Sequence, residues 1–436
     1  MSPGSFNYKI PRALPGGRAV ERGLLLLAGI YTITGMLALC PGLSGACARQ
    51  TLPAGLATIA AFFLVSLYWN SRGYRGDRFL LPITAVLSAT GLIFLFRLNP
   101  VYGARQFTWL LIGLGALLLT SRVLIDVRFL SDYKYIYALA GLLALILPIF
   151  FGVEQGGAKS WLDFGLFQFQ PSEFVKILVV LFLAGYLSEN RAVLTAGTRS
   201  LGWLALPRLQ EWAPLAAMWG VSLLILVFQR DLGTALIYFG AFLAMVYAAT
   251  ARVFYVLISM GLFVGGAVAS FFLFDHVRSR VEIWLNPWPY IDTTGYQVTQ
   301  SFFAIGSGGV LGTGLGQGYP NFIPAVHTDF IFSAICEEMG LAGGAGVIIL
   351  FMILIFRGMK IALIAGGDFE ALAASGLTAL LGLQGFVIIA GVTGLLPLTG
   401  VTLPFMSYGG SSLVANFILL GLLLNISHEA NESHEK

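Results

Sequence analysis

The sequence predicts a polytopic all-α integral membrane protein with about twelve transmembrane helices, and three observations carry that expectation. Of 436 residues, 57% are hydrophobic and only 11% charged, where soluble domains run near a quarter charged. A mean hydropathy of +0.84 leaves too little polar surface to cover a water-soluble globule. Apolar runs of about 20 residues, long enough to cross a bilayer, recur along the chain. They fall at 24–40, 52–69, 79–97, 106–121, 135–151, 171–188, 213–229, 232–250, 253–274, 329–356, 371–394 and 407–426.

The first run has the outline of a secretory signal peptide, because Lys9, Arg12, Arg18 and Arg22 precede Leu24 to Leu39 and Ala46-Cys47-Ala48 follows. Further apolar runs follow at once, and the first loop fits a topology that retains this run, so it is read as a span. Lys and Arg in the loops then set the orientation. With a cytoplasmic N-terminus, positions 9, 12, 18, 22, 72, 75, 78, 122, 128, 134, 191, 199, 208, 252, 357, 360 and 436 are inside. Positions 49, 97, 105, 159, 230, 278 and 280 are outside, and Lys176 lies within a span. Both termini are expected in the cytoplasm, with an even number of spans.

Two loops stand out on the outer face. Residues 152–170 contain Gly156-Gly157-Ala158-Lys159-Ser160-Trp161-Leu162-Asp163, and residues 275–328 form the longest connection. The long one is rich in Trp, Pro, Tyr and Gly and is expected to fold over the membrane surface. The inner loops are short and basic. A net charge of +4 is too mild to indicate nucleic acid. The cysteines are Cys40, Cys47 and Cys336, without a CxxC pair and with four histidines, which argues against a zinc site. Cys40 and Cys47 could bridge an outer loop or serve as small apolar filler.

Gln170-Pro171-Ser172-Glu173-Phe174-Val175-Lys176 opens the sixth span, with Pro171 suited to the first helical position. Glu173 and Lys176 share one helix face, just inside the outer boundary, where a charge costs a few kcal/mol. They are a structural ion pair or part of a functional site. His327-Thr328-Asp329-Phe330 closes the long loop. Thr328 can cap the next helix, and a carboxylate in its first turn tends to stay ionised, as a general base requires. Asp329 is a capping residue or that base. Glu337 and Glu338 lie about 12–13 Å further along the helix axis and suggest a separate internal polar network.

At Gln229-Arg230-Asp231-Leu232-Gly233, a hairpin turn, Arg230 either neutralises Asp231 or meets an anionic ligand. Gly306, Gly308, Gly309, Gly312, Gly314, Gly316 and Gly318 lack the Lys-Ser/Thr ending of a P-loop. Close backbone packing or loop mobility remains for them. Ser407-Tyr408-Gly409-Gly410-Ser411-Ser412 opens the last span, where small residues serve helix packing or line a lipid-accessible groove.

Taken in order, GAKSW (157–161), QPSEFVK (170–176), QRDLGTA (229–235), GYQVTQS (295–301), IPAVHTDFIFSAICEE (323–338) and LTGVTLP (398–404) through SYGGSS (407–412) resemble the SEDS family of cell-wall proteins, the group of FtsW, RodA and SpoVE. The resemblance covers roughly 79–436, a ten-helix core, and leaves 1–78 as two additional N-terminal helices. The family turn often carries Pro where this chain has Arg230.

The resemblance implies a multi-pass protein of the bacterial cytoplasmic membrane. It implies a peptidoglycan glycosyltransferase that joins lipid II into glycan strands, releases undecaprenyl diphosphate and works beside a class B penicillin-binding protein. Carried over by motif, Asp329 is the essential acidic residue, Lys176 its proposed partner, and Glu173 and Trp161 further important positions. Such a reaction needs a base for the acceptor 4-hydroxyl and positive charge near the diphosphate. Asp329 suits the first role; Lys176, helped by Arg280 or Arg230, suits the second, and Lys159 is a further substrate-binding candidate. Lys176 could instead pair with Asp329. The resemblance implies no certain cofactor, and a divalent cation could assist the diphosphate. A lipid II flippase and a non-catalytic scaffold are the alternatives. Intramembrane charges would serve transport equally, but no inverted repeat is apparent.

Overall fold

A computed structural model describes residues 17–39, 45–155, 158–165, 167–196, 199–201, 204–206 and 209–433. The chain runs through α1 (Gly17–Leu39), α2 (Gly45–Ser71), α3 (Leu80–Leu98), α4 (Pro100–Val123) and α5 (Lys134–Phe151). It continues through α6 (Pro171–Ala196), α7 (Leu209–Phe228), α8 (Leu232–Thr250), α9 (Val253–Leu273), α10 (Asp275–Leu285) and α11 (Tyr296–Gly308). The last helices are α12 (Ile331–Ile364), α13 (Asp368–Val392) and α14 (Gly410–Ser433). Eleven helices among the described residues are long and apolar enough to cross a membrane. Helix α7, at the position of the expected seventh span, carries a shorter apolar stretch, Trp219–Phe228, among the described residues. Cys40 lies outside the described residues and so does the side chain of Cys47, so the expectation about their pairing falls there.

Helices dominate because a bilayer offers no water to backbone groups, and a helix satisfies them internally. Helices α3, α6, α13 and α14 are buried almost all round and form the centre of the bundle. Helices α1 and α2 pack against α3 and α4, with Met36, Leu39 and Ala54 closing over Leu92, Ile93 and Phe96.

The basic side chains that mark the cytoplasmic end are tied together there. Arg78 pairs with Glu21, and Arg357 Nε lies 2.9 Å from Asp77 Oδ2. Arg128 reaches both Glu370 and Glu429 at 2.6 Å, and Arg191 reaches Asp368 at 2.6 Å. The Arg75 backbone N–H donates to His428 Nδ1 at 3.0 Å. The start of α1 and the end of α14 therefore share one end of the bundle, as an even number of crossings requires.

At the other end, β1 (Val153–Gln155), β2 (Ala158–Asp163) and β3 (Gln168–Phe169) form a small antiparallel sheet with Val153 opposite Trp161 and Leu162 opposite Phe169. A second hairpin, β4 (Arg199–Leu201) with β5 (Leu204–Leu206), joins α6 to α7. The long outer connection carries α10 and α11 across the bundle.

Helix α12 is broken. Gly340 takes φ 67° and ψ −169°, a backbone region open essentially to glycine alone. The break exposes backbone groups that the preceding glycine-rich segment satisfies. Thr313 and Gly314 donate to the carbonyls of Glu337 and Glu338, each at 3.0 Å, while Leu341 and Ala342 donate to Gly309 and Val310 at 2.9 and 3.1 Å. Gly312 could not carry a side chain, since a Cβ would lie 2.2 Å from Glu338 O. Close packing accounts for Gly308, Gly312 and Gly318 and positive φ for Gly309, Gly314 and Gly316, whereas a Cβ at Gly306 would meet open space. Glu338 accepts from Arg97 Nε at 3.0 Å and Gly316 N at 2.8 Å, and Glu337 accepts from Tyr319 N at 2.7 Å. This is the polar network expected at that pair.

Candidate active site

A cleft of about 1160 Å³ opens at the outer end between α4, the β1–β3 sheet, the α7–α8 turn, α10 and the loop before α14. Asp329, Glu173, Trp161, Arg230 and Arg280, five of the seven residues singled out from sequence, line it.

Asp329 sits in a tight turn rather than in the helix. Its N–H and that of Thr328 both donate to Ala325 O, at 3.2 and 3.1 Å, and Ala325 takes a left-handed φ of 53°. The expected cap does not form: α12 starts at Ile331 after Phe330, with no side-chain cap, and Thr328 Oγ1 donates back to Ala325 O at 3.0 Å. The turn is clamped from α14's side. Ser407 Oγ donates to Thr328 O at 2.5 Å, Tyr408 N donates to His327 O at 2.8 Å, and His327 stacks on Tyr102 with centroids 4.3 Å apart.

The Asp329 carboxyl lies deep in the cleft, partly reached by solvent and otherwise enclosed by protein. Gly400 presents bare backbone to it: φ is 74°, and a Cβ there would stand 3.6 Å from Oδ2. Enclosure raises its pKa to about 6, against the smaller opposing effects of the Thr328 hydrogen bond and the Arg280 charge. The expectation that a helix start would favour ionisation is corrected here, because desolvation is the larger effect. A base with this pKa remains mostly ionised near pH 7 and binds a proton more readily than an ordinary carboxylate.

Arg280 comes from α10. Its Nη1 donates to Leu398 O and Thr399 O at 3.3 and 3.2 Å, so it holds the loop that faces Asp329. Asp231 and Asp329 both act on its charge, which burial opposes. Asp231 caps α8, accepting from Thr234 N at 3.1 Å, and receives Gln170 Nε2 at 3.3 Å.

Lys176 is placed differently from the sequence expectation. It lies below the cleft, 3% exposed, and does not line it. Its Nζ donates to Glu173 Oε2 at 2.6 Å, Gln384 Oε1 at 2.8 Å and Asn416 Oδ1 at 3.2 Å. An ammonium has three donors, and all three are used. Its partner is Glu173, not Asp329, and no N–H is left over for a diphosphate. Lys159 also points elsewhere: Nζ donates to Ile149 O at 2.9 Å, while its backbone N–H ties β2 to Gln229 O at 3.0 Å.

The family model described as "FTSW_RODA_SPOVE: Cell cycle protein" matches residues 76–432. The chain belongs to this family. It is 44% identical over 364 residues to "Peptidoglycan glycosyltransferase RodA" of Mycobacterium leprae, covering 81% of this chain and 78% of that protein. It is 40% identical over 430 residues to the protein of the same name from Mycobacterium tuberculosis, covering 96% and 92%. A solved structure described as "Structural coordination of polymerization and crosslinking by a peptidoglycan synthase complex" matches with a TM-score of 0.68 and 30% identity, covering 81% of this chain and 98% of that one.

Within this member of the FtsW/RodA/SpoVE family, sequence motifs missed one wall of the cleft. Arg105, Thr108, Trp109 and Ile112 of α4 all line it. Their spacing places them on one helix face, which is the signal that could have found them. Trp109 lies against Gly410, where a Cβ would come within 2.3 Å of the ring. Small residues in the SYGGSS segment therefore serve both close packing and the cleft.

A protein-held divalent cation does not fit. Among the described residues no group of three or more His, Cys, Asp or Glu could hold one. Of the carboxylates lining the cleft, Glu173 is engaged by Lys176, Asp231 by Thr234 and Gln170, and Asp163 by Gly165 N, which leaves Asp329 without a second free carboxylate.

Proposed function

We propose that this chain is a peptidoglycan glycosyltransferase that polymerises lipid II on the outer face of the bacterial cytoplasmic membrane. The observation that carries the reading is Asp329: a carboxyl with a pKa of about 6, deep in a cleft at the outer end, beside the Arg280 cation. The names of its relatives point to the same chemistry.

In this reading the Asp329 carboxylate takes the proton of the acceptor 4-hydroxyl as that oxygen attacks the anomeric carbon of the donor. The bond from that carbon to the diphosphate oxygen breaks, and undecaprenyl diphosphate leaves with the electron pair. One displacement inverts the anomeric centre. Arg280 supplies positive charge near the departing diphosphate. Trp161 lines the cleft as a sugar-contacting wall. Lys176 is a positioning residue that fixes Glu173 from beneath.

Crosslinking is the work of a separate transpeptidase, and a class B penicillin-binding protein is the proposed partner. Residues 79–436 form the catalytic core in this reading, with 1–78 added to it. The test is a gel assay of purified protein, alone and with its partner, on labelled lipid II. Glycan ladders from the wild type and none from a folded Asp329→Ala variant are expected. Undiminished ladders from that variant would remove Asp329 from the mechanism. Lipid movement without ladders would indicate a flippase, and neither a scaffold.

A further inference from the structure

The α7–α8 reversal is made by a residue poorly suited to it. Arg230 takes φ 62°, a left-handed conformation that residues with a Cβ rarely adopt. Glycine would take this conformation freely, and proline, with φ fixed near −65°, could not take it at all. The side chains around it diverge. Gln229 Nε2 is buried and donates to Leu145 O at 2.5 Å, and Asp231 turns inward to cap α8. Arg230 turns outward into the cleft, 57% exposed, with Glu154, itself 62% exposed, 3.9 Å away. Arg230 and Asp231 therefore do not neutralise one another.

Arg105 also lines the cleft, on its α4 wall, while the remaining cations near it are engaged. Lys176 spends its three donors on Glu173, Gln384 and Asn416, Lys159 donates to Ile149, and Arg280 holds the 398–399 carbonyls beside Asp329. Resting on the glycosyltransferase reading, we propose that Arg230 binds an anionic group of the acceptor molecule. The donor's diphosphate is attached to the carbon under attack and so must lie near Asp329, where Arg280 acts. Arg230 instead has Glu154 of β1 3.9 Å away, whereas Arg280 is the cation that acts on Asp329. The acceptor's anions, its own diphosphate and its peptide carboxylates, begin one sugar away from the reacting hydroxyl. That separation matches a cation on the cleft wall rather than at its reacting end.

The test measures lipid II binding to the full-length protein in nanodiscs, using Asp329→Asn to stop turnover, and steady-state polymerisation in the Asp329 background. Arg230→Gly removes the charge while accepting the positive φ, so the turn is kept; Arg230→Lys retains the charge. Expected for Arg230→Gly is a three- to tenfold weaker Kd and a matching rise in KM, with kcat within about twofold and a shallower dependence on salt. Arg230→Lys recovers most of the loss. Lipid II with amidated peptide carboxylates separates the two anions. A defect that vanishes with it assigns the peptide, and one that persists assigns the diphosphate. An unchanged Kd, or a loss confined to kcat, would overturn the proposal. Failure of the wild type to make glycan would count against the function instead, since the binding comparison stands without turnover.

Discussion

Lys176 Nζ stands 2.6 Å from Glu173 Oε2 on the same face of α6, and this contact, not one with Asp329, settles how the lysine is held. Glu173 is 8% exposed and Lys176 3%. Removing one partner of such a pair leaves an uncompensated charge and costs about 3–5 kcal/mol.

Lys176→Met is therefore expected to lower the melting temperature sharply, and Lys176→Met with Glu173→Gln to recover part of the loss. Thermal denaturation in detergent of the two single variants and the double variant measures the coupling. A Lys176→Met protein that melts like the wild type yet makes no glycan would place the ammonium on the substrate after all.

Asp329 sets an acid limb. Its ionised form is the base, so kcat/KM should be half-maximal near pH 6 and fall about tenfold per unit below it. Arg280 lowers this pKa, so Arg280→Gln should move the limb to higher pH. The folded pKa exceeds the ordinary carboxylate value of 3.8, so the native state loses stability as pH rises between those values. The cost is absent below about pH 4, complete above about pH 6 and at most about 3 kcal/mol. Asp329→Asn should melt higher than wild type near pH 7, with the gain gone at pH 4. A pH-independent gain would point to repacking.

Gly340→Ala should prevent correct folding, because a Cβ would lie 2.3 Å from Gly312 N and 2.5 Å from Val310 O. Arg97→Met should be damaging for another reason, since it leaves the Glu338 carboxylate without its cation. Yield of monodisperse protein and melting temperature check both. A Gly340→Ala protein with wild-type stability would show that the break is not required.

The spans and their orientation were legible because lipid enforces continuous apolar runs, and positive loops gather at one end; Arg78, Arg128, Arg191 and Arg357 all meet carboxylates there. The break at Gly340 was not legible. The apolar run passes through it unchanged, and the hydrogen bonds that permit it come from residues 309–314. The Glu173–Lys176 spacing could be read directly, but Gln384 and Asn416, which complete the cage, are 208 and 240 positions away in sequence. Asp329 was found by motif, while its basicity depends on enclosure by the 398–400 loop and α10, which no local pattern encodes.

The break in α12 also separates two mechanical duties. A continuous 34-residue helix would measure about 51 Å, well beyond a hydrocarbon core of about 30 Å. Such a rod would have to tilt as a whole when the bilayer thickened or thinned, carrying Asp329 with it. Divided at Gly340, the stretch 341–364 can follow the lipid while 331–339 stays fastened to the glycine segment and Arg97. Asp329 is thereby anchored through the outer glycine segment and Arg97 rather than through the length of the membrane-crossing stretch.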